Sequence, residues 1–254
     1  MYGLNHILYT IISFSITTIL LILAKKYVKE QKHKDLILIL SAVVTVAIHY
    51  SGLFYDFLSN GSAMVEDNLL LPIYPCNIAM WLLLATSLIK NKNNRGFKFW
   101  AEFTFYLGVI GGVFGIIFNP NYRNNPHLTD FHIFKGLFSH STMAVGCLYL
   151  LVGNYIRIRE DNVLTTIGAV IIMIANGYLV IGLFKICKLT PPNCMFLLEN
   201  PVPNWPWFNI YGLGALAISV IFIFTSIYEQ IVLPKEQRWY VLLKNKINEY
   251  RKNH

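Results

Sequence analysis

The chain has 254 residues, of which 55% are hydrophobic and only 13% charged, and its mean hydropathy is +0.49. Soluble domains carry about 25% charged residues, so this composition excludes a soluble globular class and predicts extensive lipid-facing surface. A net charge of +8 would suggest nucleic acid in a soluble protein; here the bias of basic residues toward cytoplasmic loops accounts for it first, and no nucleic-acid partner is expected.

About 20 apolar residues are needed to cross a bilayer as a helix. The chain divides into seven such runs, at approximately Leu4–Ala24, Leu36–Tyr55, Leu69–Ile89, Phe99–Phe118, Phe134–Tyr155, Leu164–Leu183 and Phe208–Tyr228. The connections are too short for a separate domain. The expected fold is all-α: a bundle of about seven transmembrane helices over residues 1–230, followed by a tail over 231–254.

The first run meets no charge until Lys25 and ends without a small-x-small cleavage pattern, so it is read as a helix and not as a signal peptide. Of the 21 basic residues, 17 fall after runs one, three and five or in the tail. The other 4 are Arg123, Lys135, Lys185 and Lys188, on the opposite side. The positive-inside rule then sets the N-terminus outside and the C-terminus in the cytoplasm.

The second run runs outward and carries His49 near its end. The third opens "LPIYPCNIAMW", with Pro72 and Pro75 just before Cys76. Proline removes a backbone donor and clashes with the preceding turn. Non-helical backbone at membrane depth is tolerated where it lines a cavity or is buried in protein. The two prolines therefore predict a broken first turn, with Cys76 at a helix N-terminus where the dipole stabilises a thiolate. The fourth run, "LGVIGGVFGIIFNP", holds the small-xxx-small pairs Gly108/Gly112 and Gly111/Gly115, which permit close helix contact. In the fifth, "FSHST" supplies Ser139, His140 and Ser141. Cys147 is read as packing.

Counting ~1.5 Å per residue from the outer ends of the runs brings Cys76, His140 and His49 to about one depth in the outer leaflet. Tyr74, Asn77 and Ser139 lie close to that level. Ionisable residues within a membrane default to a functional reading. The long outer connection before run seven contains Cys187 and Cys194, which are placed so that a disulfide is possible, and Asn193, Trp205 and Trp207. Its tryptophans suit the headgroup belt, and it is positioned to cap a site open to the outer leaflet. The tail interleaves Trp239, Leu242, Leu243 and Ile247 with basic residues and reads either as an amphipathic helix on the anionic inner surface or as a solvated charged tail.

The ordered set "LLLPIYPCNIAMW", "FSHST" and "NWPWFNIYG" resembles the YwaF-like integral membrane proteins, a family that includes transmembrane protein 164 of animals. The likeness extends from about residue 45 to 228. One departure stands out: bacterial relatives often carry a histidine two residues before the cysteine, where this chain has Tyr74. The resemblance implies a multi-pass protein of a bacterial cell membrane. It implies a phospholipid acyltransferase that works through a cysteine thioester, with Cys76 as nucleophile and His140 as base. Phospholipid and lysophospholipid would be the substrates and no cofactor or metal is expected. His49, Tyr74, Asn77, Ser139, Asn193 and Trp207 are the expected substrate-binding or supporting residues. Two other classes stay open. A zinc-dependent seven-helix lipid hydrolase would use His49, His140 and His132 as ligands, although run seven has no histidine. A transporter or sensor of a small or lipidic ligand fits a broken helix with polar groups at depth, although no inverted repeat is visible and run seven has no lysine for a retinal linkage.

Overall fold

A computed structural model describes residues 3–61, 71–117, 127, 129–159, 163–200, 206–207 and 209–253. Among these residues all regular secondary structure is helical. The main elements are α1 (Leu4–Tyr27), α2 (Gln31–Asn60), α3 (Pro75–Leu88), α4 (Arg95–Gly108), α5 (Phe131–Val152), α6 (Val163–Ile186), α7 (Ile210–Val232) and α8 (Trp239–Asn253). α4 continues through a π-helical turn, Val109–Val113, into a last α-helical turn, Phe114–Ile117.

Five stretches are long and apolar enough to cross a membrane: Leu4–Tyr27, Gln31–Ser59, Arg95–Ile117, Val163–Ile186 and Ile210–Val232. Two of the expected runs behave differently. α5 has 22 residues but carries His132, Lys135, Ser139, His140 and Ser141. α3 has only 14 residues, about 21 Å at 1.5 Å per residue, which is less than the ~30 Å hydrocarbon core.

The shortness of α3 corrects the expected boundary at Leu69. Leu71 to Tyr74 are not helical, and the helix begins at Pro75. A residue before proline is pushed out of the α region, and Tyr74 has φ −115° and ψ 160°. Proline itself suits the first helical position, where its missing N–H costs nothing. Leu69 and Leu70 lie outside the described residues, as do Phe118, Arg123, Trp205 and Phe208. α5 starts three residues earlier than expected because the Asp130 carboxylate accepts from the His132 and Ile133 amides and caps the helix. α2 runs past both of its expected ends and stops at Gly61, whose φ of 69° is a left-handed conformation that suits glycine.

On α1 the exposed and buried faces are inverted relative to a soluble protein: Ile11, Ile12, Ile16 and Ile19 are exposed, while the buried residues are His6, Ser13 and Thr17. Ser13 and Tyr9 hydroxyls both meet the Ser141 hydroxyl, at 2.7 and 2.9 Å, so α1 is held to α5 by polar contacts. The apolar core of the bundle fully buries Leu38, Leu83, Phe97, Leu107, Tyr149 and Leu150, and also Ile116, Leu137 and Met143.

The end of the bundle where α2 and α4 begin and α3 and α5 finish is closed by a polar cap. The Tyr155 hydroxyl donates to Asp35 at 2.6 Å and Gln31 donates to the same carboxylate at 2.8 Å. Burial, together with the adjacent Asp35 charge, pushes the Tyr155 phenol well above its ordinary range. Lys92 donates to the Ser87 carbonyl at 2.7 Å and lies 4.9 Å from the centre of the Phe97 ring, which satisfies the open end of α3. Burial lowers its pKa, against the pull of Asp35. At the chain's end the buried Glu229 accepts from the Trp239 amide at 2.9 Å, and Arg238 donates to Gln230, fixing where α8 leaves α7. All four cysteines are free; Cys187 and Cys194 are not joined.

Candidate active site

Non-helical backbone in apolar surroundings needs partners for its N–H and C=O groups, and the segment before α3 has them. Asn176 of α6 donates to the Pro72 carbonyl at 2.6 Å. The Ile73 carbonyl accepts from the Met195 amide at 3.0 Å and from the Cys194 thiol at 3.1 Å. Burial pushes Cys194 up to about 11, so at neutral pH it keeps the proton that it donates. The Tyr74 amide donates to Asn77 Oδ1 at 3.0 Å, closing the first turn.

This scaffold sets Cys76 as the second residue of α3, half-buried. The backbone N–H groups of Asn77 and of Cys76 itself point at the Cys76 sulfur, as expected where first-turn donors lack helical partners.

The glycines of α4 and its π turn do more than pack. A Cβ on Gly112 would lie 3.2 Å from the Ala144 amide nitrogen, and one on Gly108 would collide with the Cys147 sulfur, so α4 lies flush against α5. Gly111 turns the other way: a Cβ there would lie 3.0 Å from Cys76 Cα. A Cβ on Gly115 would lie 2.6 Å from His140 Nδ1. The His140 ring also hydrogen-bonds to the backbone of Gly111, while its Nδ1 has no hydrogen-bond partner among the described residues. Gly111 therefore touches both Cys76 and His140. π turns of this kind disrupt the regular ladder and concentrate at functional sites.

Packed helices also bring the third residue to this level. A Cβ on Gly146 would meet Leu83 of α3 at 2.7 Å and the Ser41 hydroxyl of α2 at 2.6 Å. Two turns from those contacts, ~10 Å along the helices toward the end of α2 and the starts of α3 and α5, lie Ser139–His140, Cys76 and His49. The Thr45 hydroxyl donates to Thr142 at 3.0 Å in the same register, and His49 is near enough to interact electrostatically with His140. The shared level thus follows from side-to-side contacts. Counting down α3 from Leu69 is not valid, since the intervening residues are not helical.

The other expected residues have definable roles. Tyr74 packs its ring against Phe196 at 5.6 Å. Asn77 is buried, with its carbonyl oxygen engaged in the cap. The Ser139 hydroxyl donates to the Gly136 carbonyl within its own helix. Asn193 organises the connection between α6 and α7, accepting from the Leu198 and Glu199 amides and donating to the Glu199 carbonyl. Trp207 is exposed, and its carbonyl accepts from the Asn209 amide. His132 pairs with Asp56 at 2.8 Å, and no three His, Cys, Asp or Glu side chains converge as metal ligands among the described residues.

Three further residues take part. His6 is buried and its Nε2 meets the Ile116 carbonyl at 2.6 Å, next to the glycine that faces His140. Asn176 and Cys194 hold the broken turn. The spacing of His6, Ser13 and Thr17 along one helix face, and the only side-chain amide in run six, were signals in the sequence. The partner carbonyls were not.

Among the described residues all regular structure is helical and five stretches are long and apolar enough to cross a membrane, the make-up of an integral membrane protein. The TMEM164 family profile matches residues 1–228, and the chain belongs to that family. No curated protein and no solved structure matches it.

Proposed function

We propose that the chain is a seven-helix phospholipid acyltransferase of the cell membrane, with Cys76 as nucleophile and His140 as general base. The observation that carries this reading is the shared contact at Gly111, with Cys76 on one side and the His140 ring on the other. His140 takes the thiol proton as the sulfur attacks an ester carbonyl of a glycerophospholipid. The N–H groups at the start of α3 are suited to stabilise the oxyanion. The ester C–O bond breaks, the alkoxide of the departing lysophospholipid takes the proton from His140, and the acyl group remains as a thioester on Cys76. A second lysophospholipid hydroxyl then attacks the thioester. Its proton passes through His140 to the leaving sulfur, and the thiol is restored. Low water access favours transfer over hydrolysis.

In this reading α3 and α5 complete the membrane bundle with the five long helices. The N-terminus lies outside, and the basic face of α8 rests on the inner surface. The test is purified protein in defined bilayers with an acyl-labelled phospholipid and an unlabelled lysophospholipid. Labelled product and a hydroxylamine-sensitive acyl adduct on Cys76 are expected, with both lost in Cys76→Ala. Full exchange by Cys76→Ala would overturn the mechanism.

A further inference from the structure

Lys135 is a charged residue that the proposed chemistry does not use. It lies on α5, five residues outward of His140, and is 9% exposed. Its ammonium rests over α2, where a Cβ on Gly52 would lie 2.7 Å from Nζ. The nearest acid along that face, Asp56, lies one turn further out and pairs with His132. Lys135 makes no hydrogen bond or ion pair with any described residue. A buried cation in a membrane is costly unless something neutralises it, and the bare backbone of Gly52 leaves the space that Nζ occupies.

We propose that Lys135 binds the phosphate of the lipid whose ester reaches Cys76. This rests on the reading of the site as a phospholipid acyltransferase and extends it to the headgroup. A glycerophospholipid carries its phosphate one glycerol unit outward of its ester carbonyls. Lys135 is offset outward from the Cys76–His140 level by five residues, ~7 Å along the helix. Lysine serves as a point charge for phosphate without needing bidentate geometry. The His132–Asp56 pair closes the α2–α5 seam just above it. Lys135 is a specificity residue for the phosphodiester and plays no part in proton transfer.

The experiment measures ligand binding in the Cys76→Ala background, so that it does not depend on turnover. Thermal stabilisation of the detergent-solubilised protein is titrated with lysophosphatidylglycerol, with monoacylglycerol of the same chain and with glycerol 3-phosphate. Lysophosphatidylglycerol should bind about 10- to 100-fold tighter than monoacylglycerol, the range of a charge-assisted hydrogen bond. Lys135→Met should abolish that difference, and Lys135→Arg should keep most of it. Equal binding of the two lipids by the Lys135-containing protein would overturn the proposal, even if Lys135→Met failed to fold. Retention of the phosphate preference in a folded Lys135→Met protein would overturn it too. Equivalent, Lys135-dependent binding of glycerol 3-phosphate would replace the lipid with a soluble phosphate ligand. Lys135-dependent lipid binding without any acyl exchange in the protein with Cys76 intact would leave the headgroup site standing and remove the transferase reading.

Discussion

Gly115 and His140 are in contact through the absence of a side chain: a methyl group on Gly115 would sit 2.6 Å from both Nδ1 and Cε1 of the imidazole. Gly115→Ala should therefore displace the ring while leaving the membrane bundle intact, since overpacking of this size costs about 1–3 kcal/mol. Gly111→Ala should act on the other partner, because its methyl meets the backbone of Cys76 at 3.0 Å and backbone yields less readily than a ring. Misplacement of reacting groups by ~1 Å costs on the order of 100-fold in rate, so both variants should lose most acyl exchange. Gly168→Ala is the control, since nothing lies within 4 Å of its added methyl. Normal exchange in folded Gly111→Ala and Gly115→Ala proteins would separate the π turn from the chemistry.

The distribution of Lys and Arg predicts an outside N-terminus and a cytoplasmic C-terminus. An N-terminal reporter should be active on the outer side and a C-terminal reporter in the cytoplasm. A C-terminal reporter active only outside would invert the bundle and place Cys76 in the inner leaflet.

The apolar runs of α1, α4, α6 and α7 were legible to within a few residues, because hydrophobicity over ~20 residues is a strong signal. Pro72 and Pro75 also announced that Cys76 would begin a helix. The start of α3 was misplaced because hydropathy is blind to backbone conformation: Leu71 and Ile73 are as apolar as any helical residue. The small-xxx-small spacing of the α4 glycines marks them as contact points. Which helix each one meets depends on the π turn at Val109–Val113, which rotates Gly111 toward α3 while Gly108, Gly112 and Gly115 face α5. No spacing rule contains that rotation.

The Asn176 side chain donates to the Pro72 carbonyl at 2.6 Å and so links α6 to the broken turn. Asn176→Leu leaves that carbonyl without its donor in apolar surroundings, a loss of about 1–3 kcal/mol. Because the affected backbone leads into Cys76, the variant should lose exchange activity more steeply than it loses thermal stability. Asn176→Gln, which retains an amide donor on a longer arm, should recover part of it. Equal losses of activity and stability in both variants would reduce Asn176 to ordinary packing glue.

Cys194 supplies the remaining prediction, through its thiol bond to the Ile73 carbonyl. Burial raises this thiol from 9.0 to about 11, so the folded protein holds the proton more tightly than the unfolded chain does. The stabilisation is fully present below pH 9 and is lost as pH rises through the interval up to about 11. Cys194→Ser keeps a donor for the Ile73 carbonyl but has no group that titrates in that interval. The two proteins should melt in parallel from pH 7 to pH 9, and the parent should then lose stability faster. Tyrosines and lysines titrate in the same range, so the difference between the two curves is the quantity to read. Curves that stay parallel to pH 11 would show that the thiol does not hold its proton for the Ile73 carbonyl, and the Met195 amide alone would brace that side of the broken turn.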